Sequence, residues 1–419
     1  YEPRFKPEFD IDLLREYNYI SHLFVAKRSL MQMDGGFHSA LDGAQSYDMI
    51  LRCCEGNRSI CHIPYVLYHK RIHDGTSEER EIKHAQENQA GKEALEAHIE
   101  REHLFARVML TEQRSVYEVK YDTLGNPLVS MVVTGHTDRM LMERILEPFY
   151  EKSRYSNFEI IIVDQDSEDT ELQKYYQEMQ SRRRNISVVT APAGKSPTEY
   201  RNLGSIRANG AYVLFLDANL EIGDSTALGE MLGIAMREDV GVVTGTLYDD
   251  RERLYAAGLE FSGAYETMVQ RWQAQTERMV DLTTERQLYR YPYRGLTDFE
   301  TWKDMRRVQR DETGAMRYYG MNREYEIVPV YCMLVKKQVF MRLGGFSDKF
   351  RTELSVLDFC LRVREHGYRI VNAAHAKWQF HDLPDAVRMK CEAANIDAQV
   401  DFAERALFEI LWSHVLSLR

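Results

Sequence analysis

The sequence predicts an α/β fold in which a mostly parallel sheet is flanked by helices. Three observations carry this expectation. Between residues 128 and 219, four apolar runs alternate with three stretches of helical spacing, the pattern of strand–crossover–strand units. The runs LVSMVVTG (128–135) and EIIIV (159–163) are apolar throughout rather than alternating, as in strands buried on both faces. Two runs end in acidic or amide residues, VDQDSED (163–169) and LDAN (216–219). Such sheets bind ligands beyond the carboxyl ends of their strands.

The elements follow in order. VYEVKY (116–121) alternates like a strand, and GNP then makes a turn. LVSMVVTG is the first buried strand, and residues 138–153 follow with helical spacing. The second strand begins at Glu159, and a helix covers 170–182. ISVVTAP (186–192) is the third strand. TEYRNLGSIRANG (198–210) reads as a helix ending in glycine, and AYVLFLDAN (211–219) as the fourth strand.

An internal repeat organises the rest. LFVAKRSLMQMDGGFHSALDGAQSYDMILR (23–52) parallels MLVKKQVFMRLGGFSDKFRTELSVLDFCLR (333–362). Each has an apolar strand, a basic pair, a helix-like segment, Gly-Gly-Phe, a loop and an Asp-to-Arg helix. IPYVLYH (63–69) then lines up with VNAAHAKWQFH (371–381). The spacing of about 310 residues is too long for a solenoid. Residues 1–75 are therefore expected to be the rear half of a first copy whose front half is absent. Residues 76–110 are expected to form a helical linker on the surface, because SEEREIKHAQENQAGKEALEAHIEREHL is poor in apolar residues. A complete second copy is expected over 111–385, with a helical extension over 386–419. In that extension DFAERALFEILWSHVLSLR is amphipathic. Docking on the domain core is the expected use, with another subunit or a membrane surface as alternatives.

The totals narrow the classes. The 419 residues are 44% hydrophobic with a net charge of -11. That composition supports sizeable cores and argues against a nucleic-acid binder, which would concentrate basic charge on one face. SRRRN (181–185) reads as a solvated helix end. None of the six cysteines forms a CxxC pair, and reduced buried thiols of a cytosolic protein are expected. No apolar run approaches the roughly 18 residues of a membrane span.

IIIVDQDSED, RNLGSIRANGAYVLFLDAN, GGFSDKF and LDFCLRVREHGYRIV resemble family 2 glycosyltransferases of the GT-A (Rossmann-like) fold. More narrowly, they resemble the rhamnosyltransferase-like tandem-domain proteins of bacterial surface polysaccharide synthesis. The resemblance covers about 127–383, and the first copy adds about 1–75. It implies a cytoplasmic enzyme, with contact at the inner face of the membrane. The donor would be a nucleotide sugar and the acceptor a glycan or lipid-linked glycan. It implies donor binding by Asp164, Asp166, Ser167, Arg201 and Asp217, with His136 one more polar group there. It implies a Mn²⁺ or Mg²⁺ ion at Asp217, Asn219 and His381. A second copy of the chain or an intact domain upstream would be a further partner.

The residues test these roles. Asp164 can accept from a base edge or merely cap the next helix. Arg201 can hold the nucleotide or pair with Glu199 or the Asp164 loop. Asn219 stands where the family motif has a second acid, so the metal site loses an anionic ligand. His381 can be a ligand or a packed histidine. The family's catalytic base lies two residues before the helix aspartate, Asp358, and that position is Val356. Valine cannot take a proton, which leaves Glu353 as a displaced base. The first copy has Ser46 at the same place, with Asp48 retained. Two readings stay open: an inverting transferase using Glu353 and Asp358, or a domain keeping the fold to bind a nucleotide, a glycan or a partner. A nucleotide-dependent oxidoreductase is disfavoured because no GxGxxG follows the first strand.

Overall fold

A computed structural model describes residues 6–381 and 402–416, apart from 34, 57–58, 64, 66, 70–76, 136–138, 166–167, 253, 259, 262–291 and 294–319. These residues fall in two compact units, one reaching Asp122 and returning briefly before Glu324, the other taking Thr123 onward and everything from Tyr325.

The first unit opens with helix α1 (Ile11–Glu16), whose amide hydrogens are capped by Asp10. Helix α2 (Arg28–Met33) follows and buries none of its residues. Helix α3 (Gln45–Cys54) buries Tyr47 and the stretch from Asp48 to Cys53. Helix α4 (Ser77–Arg101) lies where a solvated linker helix is expected, within the first unit. It packs on α3, and Ala90, Ala94, Leu95 and Ile99 are buried. The stripe combines the small Ala90 and Ala94 with Leu95 and Ile99. Gly91 permits the approach: a Cβ there would lie 1.8 Å from the Tyr117 hydroxyl. Residues 106–110, expected to end the linker, form strand β1 (Ala106–Leu110), antiparallel to β2 (Tyr117–Tyr121).

In the second unit the expected alternation appears element by element. Strand β3 (Val129–Thr134) leads to α5 (Arg139–Lys152), and β4 (Phe158–Asp164) to α6 (Thr170–Arg182). Strand β5 (Ile186–Thr190) leads to α7 (Pro197–Arg207), and then comes β6 (Tyr212–Asp217). Helix α7 starts with Pro197 behind a Ser196–Glu199 capping box. Gly204 lets it lie on the sheet, since a Cβ there would meet Val132 at 2.3 Å.

After β6 come β7 (Leu220–Ile222), α8 (Ala227–Ala235), β8 (Val240–Tyr248) and β9 (Leu254–Ala256). The chain resumes with β10 (Cys332–Lys336), α9 (Lys337–Arg342), α10 (Leu354–Glu365) and β11 (Arg369–Phe380). The strand order is β11-β8-β10-β6-β3-β4-β5. The half from β6 to β5 is parallel. Strand β10 runs antiparallel to both β6 and β8, while β11 is parallel to β8. The sheet is therefore mixed. The carboxyl ends of β6, β8 and β11 and the start of β10 share one edge.

Helix α11 (Phe402–Leu411) and the short helix α12 (Ser413–Leu416) end the chain's described part. Phe408 and Trp412 enter the core with Phe350, Phe359 and Val356. Docking on the core, the first of the three expected uses, is what the amphipathic tail does. Among the described residues no helix is long and apolar enough to cross a membrane.

Candidate active site

Asp217 ends β6 at the shared edge. Its backbone N–H donates to Tyr331 O at 3.0 Å, just ahead of β10. Its Oδ1 accepts from the Asn219 N–H at 3.1 Å, a tight Asx turn. Gly135, at φ +118, leaves the space before Oδ2 open, and a Cβ there would lie 3.7 Å away. Burial raises the Asp217 pKa above its ordinary value. The Asn219 N–H and Arg201 oppose the rise, and Glu353 adds to it.

Arg201 projects from α7 and is 5% exposed. Its Nη1 donates to Glu353 Oε1 at 3.3 Å. Its sequence alternative, Glu199, is occupied by the capping box and Lys195. Glu353 is the N-cap residue of α10, but its side chain makes no cap hydrogen bond. Its carboxylate turns instead to Arg201 and stays 41% exposed. Asp217, Arg201 and Glu353 thus form one charged group at the edge.

Val356, at the family's base position, is 2% exposed and packs in the core. Asp358 corrects an expectation. Its Oδ2 accepts from Arg362 Nε at 2.8 Å and its Oδ1 from Trp412 Nε1 at 3.1 Å. Both oxygens are held inside the fold, so Asp358 is a bracing group rather than a reacting one. Arg362 extends the brace to the carbonyls of Leu343 and Gly345.

His381 is also committed. Nδ1 lies 2.6 Å from Asp250 Oδ1, and Nε2 lies 3.1 Å from Glu221 Oε2. Its backbone N–H donates to Asn219 O at 3.0 Å. Its backbone therefore holds the Asn219 turn, while both ring nitrogens face carboxylates. Asp164 is fully buried at the end of β4, two strands from β6, and its Oδ2 accepts from Gln173 Nε2 at 3.2 Å. It is not the cap of α6, because Asp169 fills that place. His136, Asp166 and Ser167 lie outside the described residues.

Among the described residues no three His, Cys, Asp or Glu side chains gather to hold a metal. The donor at hand is Asp217, whose Oδ2 lies beside Gly135. A carboxylate oxygen suits a hard divalent ion whose remaining ligands come with a diphosphate.

Three residues at this edge went unread in the sequence. Tyr331, Tyr255 and Phe380 pack together, with Tyr331 to Tyr255 ring centroids 6.4 Å apart. Burial, then Tyr255, Glu353 and Asp217, hold the Tyr331 phenol well above its ordinary pKa, against Arg201. Only the antiparallel turn of β10 brings Tyr331 beside Asp217, and local periodicity carries no sign of that.

A protein of Sinorhizobium fredii, named only as uncharacterized protein y4gI, is 26% identical over 385 residues, covering 91% of this chain and 39% of that one. The O-antigen biosynthesis protein RfbC of Myxococcus xanthus is 26% identical over 381 residues, covering 91% of this chain and 27% of that one. The chain thus spans well under half the length of either relative. A mannosyltransferase from Pyrobaculum calidifontis, solved with GDP-Man and Mn²⁺, is 14% identical with a TM-score of 0.40, covering 62% of this chain and 58% of that one. GalNAc-T7, solved with UDP, GalNAc and Mn²⁺, is 10% identical with a TM-score of 0.42, covering 66% of this chain and 47% of that one. Residues 141–290 match the model of glycosyl transferase family 2, and the chain carries a domain of that family.

Proposed function

We propose that the second unit transfers a sugar from a nucleoside diphosphate donor to an acceptor hydroxyl, with inversion, and that Glu353 is its base. The observation that carries this reading is the grouping of Asp217, Arg201 and an exposed Glu353 at the carboxyl edge. Asp217 and Asn219 would hold a Mn²⁺ or Mg²⁺ ion arriving with the nucleotide. That ion supplies neutralisation of the leaving diphosphate. Arg201 lends positive charge to the same place and fixes the direction of Glu353. Glu353, partly in solvent, takes the proton from the acceptor. Asp164, at the end of β4, is the group proposed to recognise the donor base, with Gln173 as its present partner. The relative named for O-antigen biosynthesis supports an acceptor in bacterial surface polysaccharide synthesis, a glycan or its lipid-linked form.

A second reading is favoured by one observation. The family's base position, Val356, is sealed in the core. A domain that binds the nucleotide without turning it over would look the same there. The first unit, with Ser46 at the matching place, is proposed as the rear half of another copy. Release of nucleoside diphosphate from a panel of nucleotide sugars separates the readings. The transferase reading expects turnover that falls at least about 100-fold in Glu353→Gln with nucleotide affinity kept. Wild-type protein that binds nucleotide but releases none from any donor would overturn it in favour of the binding domain.

A further inference from the structure

The edge that carries Asp217 is asymmetric. On one side lie the parallel strands β3 and β4, with Asp164 at the end of β4. On the other lie β10, β8 and β11, and there the edge is aromatic. Tyr255, on β9, stacks on Phe380 at 4.0 Å between centroids and 11° between planes. Tyr331 leans on the same Phe380 at 5.7 Å and 58°. Phe380 is buried at 8% exposure, whereas Tyr255 and Tyr331 keep part of their surface. The arrangement is a supported platform: Tyr255 lies flat on Phe380, and Tyr331 stands beside them, tilted by 58° and 59°.

We propose that Tyr255 and Tyr331, backed by Phe380, form the subsite for a sugar ring of the acceptor. This rests on the transferase reading above. Aromatic faces carry negative potential and take the C–H face of a pyranose. The platform adjoins the charged group through Tyr331, whose carbonyl accepts from the Asp217 N–H. A ring lying on it would bring a hydroxyl toward Glu353. A role confined to core packing does not explain the placement. Core rings such as Phe340, Phe346 and Phe359 are at most 1% exposed and lie within the hydrophobic cluster. The two tyrosines lie outside that cluster, at the edge where α/β sheets take ligands.

Saturation-transfer NMR tests this on the whole chain. The probes are methyl glycosides of glucose, galactose, mannose, rhamnose and N-acetylglucosamine, each measured with UDP or GDP present. Wild-type protein should transfer saturation to the ring C–H protons of at least one glycoside. Tyr255→Ala should weaken that glycoside at least tenfold and Tyr255→Trp should restore it, while calorimetric affinity for the nucleoside diphosphate stays within twofold. Thermal unfolding checks that the variants fold, and Tyr255→Phe keeps the test open if the alanine variant does not. Glycoside binding unchanged in Tyr255→Ala would overturn the proposal. So would a wild type that binds the nucleotide but none of the glycosides, or a tenfold fall in nucleotide affinity in Tyr255→Ala, which would give the platform to the donor. Glycoside binding through Tyr255 without nucleotide binding would leave the platform standing and remove the transferase reading.

Discussion

Glu353 pairs with Arg201 and both charges act on Asp217, yet only Asp217 has the sequence position its family leads one to expect. The strand end at LDAN was legible because an apolar run stops there on an acid. Glu353 was legible only as a substitute for Val356, five residues ahead of Asp358. Asp358 was misread: an acid on the right helix turn looks the same in sequence whether it faces a cleft or an arginine and a tryptophan. Asp217 also carries a stability consequence. Its pKa is raised, so the folded state resists its ionisation. Stability is then lost as pH climbs from the carboxyl's ordinary value toward the raised one. Asp217→Asn removes that burden. Its thermal midpoint at pH 7.5 should be no lower than wild type, although metal-dependent nucleotide binding disappears. A clear drop in the midpoint would mean that the carboxylate stabilises the fold.

At the scale of elements, the two units share one device. In the second, Gly344 and Gly345 turn with φ +81 and +69, and Arg362 ties the Gly345 carbonyl to Asp358. In the first, Gly35 and Gly36 turn with φ +81 and +72, and Arg52 ties the Gly36 carbonyl to Asp48. The sequence repeat is thus a repeat of a glycine turn locked by a buried ion pair. Asn202 adds a second lock in the second unit, exchanging hydrogen bonds of 2.8 and 3.0 Å with the Phe346 backbone. Helix α11 covers the far side of α10. Phe408 is fully buried there, so Phe408→Ala should cost about 3–5 kcal/mol in chemical unfolding, whereas a tail merely lying on the surface would lose almost nothing. Helix α4 is fixed to α3 through Glu55. Burial alone would raise the Glu55 pKa, but hydrogen bonds from His98 and Arg101 hold it down at about 2. Its contribution is complete above the ordinary carboxyl value of about 4.5 and drains as pH falls through about 2. Glu55→Gln should therefore lower the thermal midpoint at pH 7, with the gap to wild type closing toward pH 2. A gap independent of pH would assign the loss to packing. Both α4 and β1 were only half legible, because small apolar residues and one glycine make a contact face that hydrophobic spacing understates.

For the whole molecule, the alternation of strands and helices fixed the parallel half of the sheet almost to the residue. The mixed half escaped it. Nothing in a run such as CMLVK (332–336) says that it lies antiparallel between β6 and β8. That one reversal assembles the site, since it carries Tyr331 to Asp217 and sets the aromatic platform against the charged group. The central claim is that this edge receives a nucleoside diphosphate. Calorimetric titration with UDP, GDP and dTDP, with and without Mn²⁺, tests it most directly. One of them should bind, Mn²⁺ should strengthen it, and Asp217→Ala should abolish the Mn²⁺ effect. Absence of binding by all three in both conditions, or a Mn²⁺ effect that survives Asp217→Ala, would contradict it.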